Sequence, residues 1–274
     1  LPGKVTGFTA TPSTTYVNLK WDAVKNADCY NVYIYEDGEY NLQKTVKGTE
    51  YKLTGLRQGA TYKFTVRAYI KRNTGTRKGS MTSVTATLKP SKVSKITLSS
   101  VTDKTQKLSW PAAVGANYYY IYRYNSVSKK YEQVAKTSSK SYTFNNLTAG
   151  KTYSYKIMSA VVKDGKTLAQ GSYSSVYKFS TDPAKVTGLK STSATASKIS
   201  LTWNKVSGAT YYEISCYSKE NGDYILAGTS ETNSFTVTGL SKKTQYKFKI
   251  RAIRTVNDKD YTGYNSSAIS VKTK

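Results

Sequence analysis

Short segments in which apolar and polar positions alternate recur along the whole chain, and Gly, Asn, Asp and Ser separate them. Typical segments are "YVNLKW" (16–21), "YNVYIY" (30–35) and "YKFTVRA" (62–68). Successive side chains of a strand point to opposite faces of its sheet, and β-branched and aromatic residues favour strands. Each segment therefore predicts a half-buried β-strand. Because no helical periodicity persists, the pattern predicts an all-β fold.

The segments recur with a period near ninety residues, which is too long for a solenoid repeat and typical of a small domain. A strand that ends at a tryptophan occurs three times, as "VNLKW", "QKLSW" and "ISLTW", at Trp21, Trp110 and Trp203. A leucine precedes a tyrosine by six residues in each copy: Leu56 and Tyr62, Leu147 and Tyr153, Leu240 and Tyr246. We expect three domains, at 1–90, 91–183 and 184–274, each a sandwich of about seven strands.

The predicted joins, "TLKPSKV" and "STDPAKV", leave only a few residues between the last strand of one domain and the first strand of the next. Pro90 and Pro183 fix a backbone dihedral in these joins and stiffen them. Strands of roughly ten residues, at about 3.3 Å per residue, make a domain about 30–35 Å long. We therefore expect an elongated, semi-rigid rod on the order of 100 Å in length.

Each copy resembles a fibronectin type III domain. The resemblance rests on the Pro- and Val-containing first strand, the tryptophan that ends the second, the aromatic third strand and the "YxFxVRA" sixth strand. It covers nearly the whole chain and implies three tandem seven-stranded sandwiches. It also implies structural roles for the three tryptophans and the Leu–Tyr pairs. Those pairs resemble the tyrosine corner, in which a buried ring bonds its hydroxyl to nearby backbone.

The third strand of each copy is rich in tyrosine, and the second copy's "YYYIYRY" is the richest. Tyr119 falls on the apolar face of this strand and is predicted to lie in the core. Tyr118, Tyr120, Tyr122 and Tyr124 fall on the other face. We expect these four side chains to point outward from a sheet.

In the first copy, Tyr33 and Tyr35 fall on the same outer face. The resemblance places the sixth strand beside the third, which puts Arg67 next to these two tyrosines and Lys156 next to those of the second copy.

Two interpretations of this face stay open. Tyrosine pairs across strands, with Lys or Arg stems over the rings, stabilise a sheet by some tenths of a kcal/mol per pair. Tyrosine also offers a ligand a flat apolar face with a polar tip, at little cost in entropy, which suits stacked sugars or a protein partner. We favour the structural interpretation for the first and third copies and weigh the two evenly for the second.

The net charge of the chain bears on its expected partners more than on its expected fold. The chain has 42 Lys or Arg and 16 Asp or Glu, a formal net charge of +26. Each predicted domain has 14 basic residues, against six, four and six acidic ones. The positive charge therefore belongs to the repeating unit and not to a separate nucleic-acid-binding arm. A generally basic surface attracts polyanions in a salt-dependent way.

Several kinds of chemistry are excluded by composition. The chain has no histidine, so it cannot supply a Ser-His-Asp triad or a histidine metal ligand. The two cysteines, Cys29 and Cys216, fall in different copies, which excludes a disulfide within one domain. The Arg-Gly-Asp sequence with which animal fibronectin engages integrins does not occur. We expect no catalytic site, no metal and no cofactor.

The abundance of Lys, Ser, Thr and Tyr makes these repeats similar to the fibronectin type III repeats of secreted and cell-wall proteins of Gram-positive, gut-type bacteria. The resemblance implies a non-catalytic extracellular segment, secreted or attached to the cell wall. Such a segment acts as a spacer and display rod beside neighbouring domains of a longer protein, with adhesion through Tyr- and Lys-rich sheet faces. The start at Leu1 favours a piece of a longer chain.

The alternative is a dedicated binding module centred on the second domain. Its ligand would be a polysaccharide, such as starch or a cell-wall glycan, or a host protein. The expected partners are therefore a glycan, an anionic wall polymer or a host protein. Specific nucleic-acid binding and membrane insertion are not expected, because no matching signature or apolar run occurs, and the chain is expected to be monomeric.

Overall fold

The computed structural model describes residues 1–274, which form 24 β-strands joined by turns and loops. The chain contains no helix, and so none that is long and apolar enough to cross a membrane. The prediction of an all-β fold is confirmed.

The strands recur as three sets of eight. The first set is β1 (Thr9–Pro12), β2 (Tyr16–Lys20), β3 (Cys29–Glu36), β4 (Glu39–Val46), β5 (Glu50–Thr54), β6 (Thr61–Arg72), β7 (Gly75–Lys78) and β8 (Thr82–Thr87). The second set is β9 (Thr97–Val101), β10 (Gln106–Ser109), β11 (Tyr118–Asn125), β12 (Lys130–Thr137), β13 (Ser141–Phe144), β14 (Thr152–Lys163), β15 (Lys166–Tyr173) and β16 (Tyr177–Ser180). The third set is β17 (Lys190–Ala194), β18 (Lys198–Thr202), β19 (Tyr211–Ser218), β20 (Asp223–Ser230), β21 (Ser234–Thr238), β22 (Gln245–Val256), β23 (Lys259–Thr262) and β24 (Ile269–Lys272).

Each set forms two sheets. The smaller sheets have the strand orders β1-β2-β5, β9-β10-β13 and β17-β18-β21. The larger sheets have the orders β4-β3-β6-β7, β12-β11-β14-β15 and β20-β19-β22-β23. In the larger sheets, β8, β16 and β24 pair with the first half of the long strands β6, β14 and β22. The last strand of each sandwich is thus split in two, which gives eight strands where the sequence predicts seven.

Apolar residues fill the space between two sheets. In the first set, Leu19 packs with Val32 and Phe64, and none of the three side chains is exposed. Leu201 and Phe248 take the same places in the core of the third set. These cores lie between the smaller and the larger sheet of their set, so the predicted sandwich architecture is confirmed.

The tryptophan after the second strand of each set is buried against a tyrosine of the third strand. The ring centroids are 5.5 Å apart for Trp21 and Tyr30, 5.5 Å for Trp110 and Tyr119, and 5.3 Å for Trp203 and Tyr212. In each set the tyrosine hydroxyl accepts a hydrogen bond from a loop backbone N–H, that of Val24, Ala113 or Val206. The outward-facing tyrosines of the third strand alternate with these buried ones.

The Leu–Tyr pairs form the same hydrogen-bonded corner in all three sets. The hydroxyl oxygens of Tyr62, Tyr153 and Tyr246 accept hydrogen bonds from the backbone N–H groups of Arg57, Thr148 and Ser241, at 3.1, 2.9 and 2.8 Å. In each set the donor is the residue that follows the leucine, Leu56, Leu147 or Leu240. The tyrosine thereby ties the loop before the sixth strand to that strand.

Replacing Tyr62 with Phe is expected to cost about 1 kcal/mol of stability in the first set, because the Arg57 N–H loses its acceptor while the ring still packs. Amide hydrogen exchange of β6 measures this loss locally, which avoids assuming a single unfolding transition for a chain of several domains. Tyr264→Phe is the control, since that side chain is 58% exposed. An unchanged β6 opening free energy in Tyr62→Phe contradicts the prediction.

Contacts divide the chain into two compact units. The first unit comprises Leu1–Lys95, Trp110–Lys140 and Lys156–Ser175, and the second comprises Ile96–Ser109, Ser141–Tyr155 and Val176–Lys274. The first unit holds the first set of strands with β11, β12 and β15, the second holds the third set with β9, β10, β13 and β16, and β14 contributes to both. The domain limits 1–90, 91–183 and 184–274 stay a prediction.

Candidate functional site

The candidate site is the outer face of the sheet that contains β11. Strand β11 lies between β12 and β14, so side chains from three strands meet on this face. Tyr118 and Tyr122 are half-buried, and Tyr124 is 43% exposed. Tyr119 points the other way and is 3% exposed, against Trp110.

Tyr120 lies on the expected outer face of the sheet, but only 5% of it is exposed. Its ring lies in a small apolar cluster with Met158, Ala160 and Val162, which the partly buried Tyr118 and Tyr122 flank. Its hydroxyl is hydrogen-bonded to the hydroxyl of Thr167 on β15. Strand alternation predicts the face on which Tyr120 lies, but it does not predict that residues of β14 and β15 cover the ring. Tyr120 therefore offers little ring surface to a ligand.

Lys156 on β14 is surrounded by tyrosine rings. Its Nζ atom lies 3.7 Å from the ring centroid of Tyr173, 4.7 Å from that of Tyr131 and 5.9 Å from that of Tyr122. Tyr124 packs edge-on against Tyr131, with centroids 5.4 Å apart. These five residues are called the Lys156 cluster below. A cation over an aromatic face is attracted by the ring quadrupole, so the cluster stabilises itself.

Strand pairing positions these side chains. Tyr124 and Tyr131 are direct partners across β11 and β12. Tyr173 is the partner of Met158, two residues along β14 from Lys156. Strand β15 has eight residues, whereas its counterparts β7 and β23 have four, and Tyr173 is the last residue of β15.

Sequence reasoning missed Tyr131 and Tyr173. The turn between Tyr124 and Tyr131 is short, so counting back from it gives the cross-strand pair. No comparable signal marks Tyr173, because its place depends on two irregularities in the pairing of β14 with β15. Of the predicted residues, the structure joins Tyr122, Tyr124 and Lys156.

The cluster carries one positive charge among neutral phenols. Burial, the hydrogen bond with Tyr173 and the neighbouring phenols raise the pKa of Tyr122 to about 12, so this hydroxyl stays protonated near neutral pH. Glu132, which follows Tyr131 on β12, accepts hydrogen bonds from Ser128 and Asn125, which lower the pKa of its carboxyl. Residues 116–140 and 156–175, which form β11, β12, most of β14 and β15 with their turns, contain eight basic side chains and two carboxylates.

The remaining predicted residue of the second set, Tyr118, lies apart from Lys156 and contacts a different lysine. The Nζ atom of Lys136 is 5.1 Å from the Tyr118 ring centroid and 5.5 Å from that of Tyr120. This second lysine continues the pattern of amine over ring along the strand.

The candidates of the first set make mostly internal contacts. The hydroxyl of Tyr33 is hydrogen-bonded to that of Tyr69 at 2.7 Å, and burial raises its pKa. Tyr35 packs on Tyr40, with ring centroids 4.8 Å apart. Arg67 donates from Nε to the carbonyl oxygen of Gly79 at 2.7 Å, and its guanidinium carbon lies 5.9 Å from the ring centroid of Tyr69.

A pair of tyrosines with a lysine nearby occurs on the larger sheet of every set. The direct cross-strand pairs are Tyr35 and Tyr40, Tyr124 and Tyr131, and Tyr217 and Tyr224. The Nζ atoms of Lys63, Lys156 and Lys249 lie 4.6, 4.7 and 4.0 Å from a ring of their pair. The second set differs from the other two because Tyr122 and Tyr173 add two further rings around its lysine.

Metal chemistry has no site here. No group of three or more His, Cys, Asp or Glu side chains is placed to hold a metal ion. The face of the Lys156 cluster offers aromatic rings, hydroxyls and an ammonium group, which can bind a ligand.

Residues 3–84 and 184–267 match the family described as the fibronectin type III domain, and together these ranges cover more than half of the chain. The chain belongs to the fibronectin type III family. The first range covers β1–β7 and part of β8, and the second covers β17–β23. The second set of strands has the same strand order, so the chain is a tandem array of fibronectin type III repeats.

Three curated proteins illustrate what the array resembles. Receptor-type tyrosine-protein phosphatase eta of Gallus gallus is 30% identical over 256 residues, which is 91% of this chain and 17% of that protein. Exoglucanase B of Cellulomonas fimi is 27% identical over 246 residues, 84% of this chain and 22% of that protein. Tail tube protein gp17.1* of Bacillus phage SPP1 is 43% identical over 56 residues, 20% of each chain. The chain thus spans about a fifth of the length of the curated relatives it matches.

Solved structures give a distant likeness. The chicken CNTN1 FN1-FN3 domains cover 100% of this chain and 99% of their own, with 18% identity and a TM-score of 0.39. A two fibronectin type-III domain segment from chicken tenascin covers 66% of this chain and 98% of its own, with 18% identity and a TM-score of 0.38.

Proposed function

We propose that this array is a non-catalytic, semi-rigid spacer in the extracellular part of a bacterial surface or secreted protein. The chain spans only about a fifth of the receptor and the exoglucanase that it resembles, which supports a segment within a longer protein. Among the relatives, the exoglucanase of Cellulomonas fimi supports a bacterial setting, and the receptor-type phosphatase of Gallus gallus supports an extracellular one. The observation that carries the proposal is the close backbone contact where one repeat follows another.

At the first junction, two glycines meet backbone to backbone. A Cβ atom added at Gly59 would lie 2.0 Å from the carbonyl oxygen of Gly115. One added at Gly115 would lie 2.3 Å from the carbonyl oxygen of Gln58. No side chain fits at either position unless the loops separate, so the two loops pack as closely as backbone allows.

The second junction repeats this contact in the second unit. A Cβ atom added at Gly208 would lie 2.4 Å from the carbonyl oxygen of Gly150, and one at Gly150 would lie 2.7 Å from that of Ser207. Arg254 adds a bridge, because its guanidinium donates to the Gly208 carbonyl oxygen at 2.8 Å and to the Thr152 hydroxyl at 3.1 Å. One type of contact therefore serves both junctions.

The glycines are needed for this approach and not for their backbone dihedrals alone. Lys243 occupies in the third repeat the position of Gly59 and Gly150, and it adopts the same left-handed conformation, with φ of 53°. Asn26 occupies in the first repeat the position of Gly115, with φ of 61°. At these two loop positions, non-glycine residues occur away from the junctions, and glycine occurs where another backbone segment lies against the loop.

The first join is hydrogen-bonded on both sides of its proline, and the second join before its proline. Lys89 donates from its backbone N–H to the carbonyl oxygen of Ser13, and Ser91 donates to that of Val114, both at 2.9 Å. At the second join, Asp182 donates to the carbonyl oxygen of Thr102 at 3.1 Å. The backbone pairing on both sides of Pro90 and before Pro183 leaves the joins little freedom, which favours a stiff spacer.

Gly59→Ala tests this proposal, with Gly55→Ala as its matched control. Both glycines have left-handed φ, +72° and +79°, so both substitutions cost about 1 kcal/mol of backbone strain. A Cβ atom at Gly55 has no atom within 4 Å, whereas one at Gly59 meets Gly115. Only Gly59→Ala is expected to loosen the junction.

Backbone ¹⁵N relaxation on the whole chain measures the coupling. The first two repeats are expected to share one rotational correlation time in the native protein and in Gly55→Ala, and to acquire separate, shorter times in Gly59→Ala. Independent tumbling in the native protein, or no difference between the two variants, contradicts the spacer proposal.

A binding module is the second candidate function, and one observation favours it. A spacer requires no difference among its repeats, yet the second repeat places two additional tyrosines around its lysine. A polysaccharide or a host protein is the class of ligand that this asymmetry supports.

A further inference from the structure

We propose that the Lys156 cluster binds a polysaccharide of pyranose rings that carry carboxylate groups, a polyuronate. This site goes beyond the spacer role and makes the second candidate function specific. Such a site requires an exposed ring surface with a positive charge beside it. Its preference for sugar rings over other polyanions follows from the chemistry of both features.

The ring surface comes from the two most exposed members of the cluster. Tyr124 and Tyr173 are each 43% exposed. Tyr124 contacts Tyr131, Lys156 lies over Tyr131 and Tyr173, and Tyr173 packs edge-on against Tyr122, with centroids 5.1 Å apart. The two open rings therefore belong to one continuous chain of contacts, and their neighbours restrict their rotation. Rings held in this way lose little entropy when a flat ligand stacks on them.

The positive charge lies over one of the two open rings, that of Tyr173. The Lys156 ammonium contacts the rings of both Tyr131 and Tyr173, so its position is held by the cluster. Ring quadrupoles leave the net charge in place, and a carboxylate that approaches from solvent can accept a hydrogen bond from this amine. The surrounding segments carry eight basic residues and only two carboxylates, which attracts a polyanion.

Sugar rings explain the cluster better than a charged chain without rings does. The apolar face of a pyranose matches the face of a phenol, whereas a polyphosphate or a polycarboxylate peptide meets only the lysines. A neutral glycan would use the rings but not the ammonium group. A polymer with a carboxylate on each pyranose uses both features at once.

The experiment titrates the full chain with polygalacturonate, which has both rings and carboxylates. Fully methyl-esterified polygalacturonate keeps the rings without the charge, and poly-L-glutamate keeps the charge without the rings. Each titration runs at about 0.15 M and about 0.5 M salt, because exposed charge pairs weaken with ionic strength. The variants Tyr173→Ala and Lys156→Met each remove one feature of the site.

The controls match each variant in chemistry. Tyr264→Ala removes an exposed tyrosine of the third repeat, and Lys166→Met removes an exposed lysine of β15 outside the cluster. Tyr124→Ala is a second ring variant, and amide spectra of every variant check that the sheet is intact.

Polygalacturonate is expected to bind more tightly than both other polymers, and each cluster variant is expected to weaken it about fivefold, with less than a twofold change in either control. Four outcomes overturn the proposal. They are no binding, equal binding of poly-L-glutamate, equal binding of the methyl ester, and equal losses in Lys156→Met and Lys166→Met. The relaxation test of the junction is independent, so either proposal can fail without the other.

Discussion

Replacing Tyr155 with Phe is expected to destabilise the second repeat by about 1–3 kcal/mol, although phenylalanine occupies this position in the other two repeats. Tyr155 is fully buried, and its hydroxyl donates to the Gln106 side-chain oxygen at 2.8 Å. Gln106 is also fully buried. The counterparts of Tyr155 are Phe64 and Phe248. The substitution keeps the ring and leaves a buried amide oxygen without its donor, which is more costly than removing both polar groups.

The other repeats supply the matched double variant. Val17 and Ile199 occupy the position of Gln106, so Tyr155→Phe/Gln106→Val makes this part of the core like theirs. The double variant is expected to recover most of the stability that Tyr155→Phe loses, although the bond from the Gln106 amide to the Phe179 carbonyl oxygen is lost as well. Amide hydrogen exchange of β14 in the wild type, both single variants and the double variant completes the cycle. A neutral Tyr155→Phe, or a double variant that is less stable than either single one, contradicts this account.

Strand positions and faces follow from the sequence because alternation is a local property. The alternating segments give the strands, and the period near ninety residues gives the repetition. The same rule places Tyr119 on the core face and Tyr120 on the opposite one, which the structure bears out. Alternation determines the face of a side chain but not what covers that face. Tyr120 is buried on the outer side by residues that are remote in sequence.

The Lys156 cluster is likewise only partly predictable from the sequence. Tyr122, Tyr124 and Lys156 can be predicted as neighbours, because they depend on the third and sixth strands being adjacent. Tyr173 cannot, because irregular pairing between β14 and β15 sets its position. Register shifts result from packing across the whole sheet and leave no periodic trace in a single sequence.

The role of the junction glycines cannot be predicted from the sequence either. Gly55 and Gly59 both lie in the loop between β5 and β6 and both adopt left-handed φ, so the sequence indicates an ordinary turn glycine at each position. Only the position of Gly115 distinguishes them, and that contact joins segments more than fifty residues apart. The prolines of the joins are visible in the sequence, whereas the backbone contact that restrains each junction is not.

Tyr120→Ala is expected to destabilise the second repeat by about 3 kcal/mol, because it removes a 95% buried ring from the cluster with Met158, Ala160 and Val162. Tyr120→Phe keeps the ring and loses only the hydrogen bond with Thr167, so its expected cost is about 1 kcal/mol. Amide hydrogen exchange of β11 and β14 measures both effects.

Tyr124→Ala is the control for this pair, since that side chain is 43% exposed and its loss is expected to change stability by about 0.5 kcal/mol or less. If Tyr120→Ala is as mild as Tyr124→Ala, the outer apolar cluster contributes nothing to folding, and the burial of Tyr120 has no energetic meaning. If the expected order holds, a loss of ligand binding in Tyr120→Ala reports a disturbed sheet. Tyr124 and Tyr173, each 43% exposed, are then the side chains on which binding has to be tested.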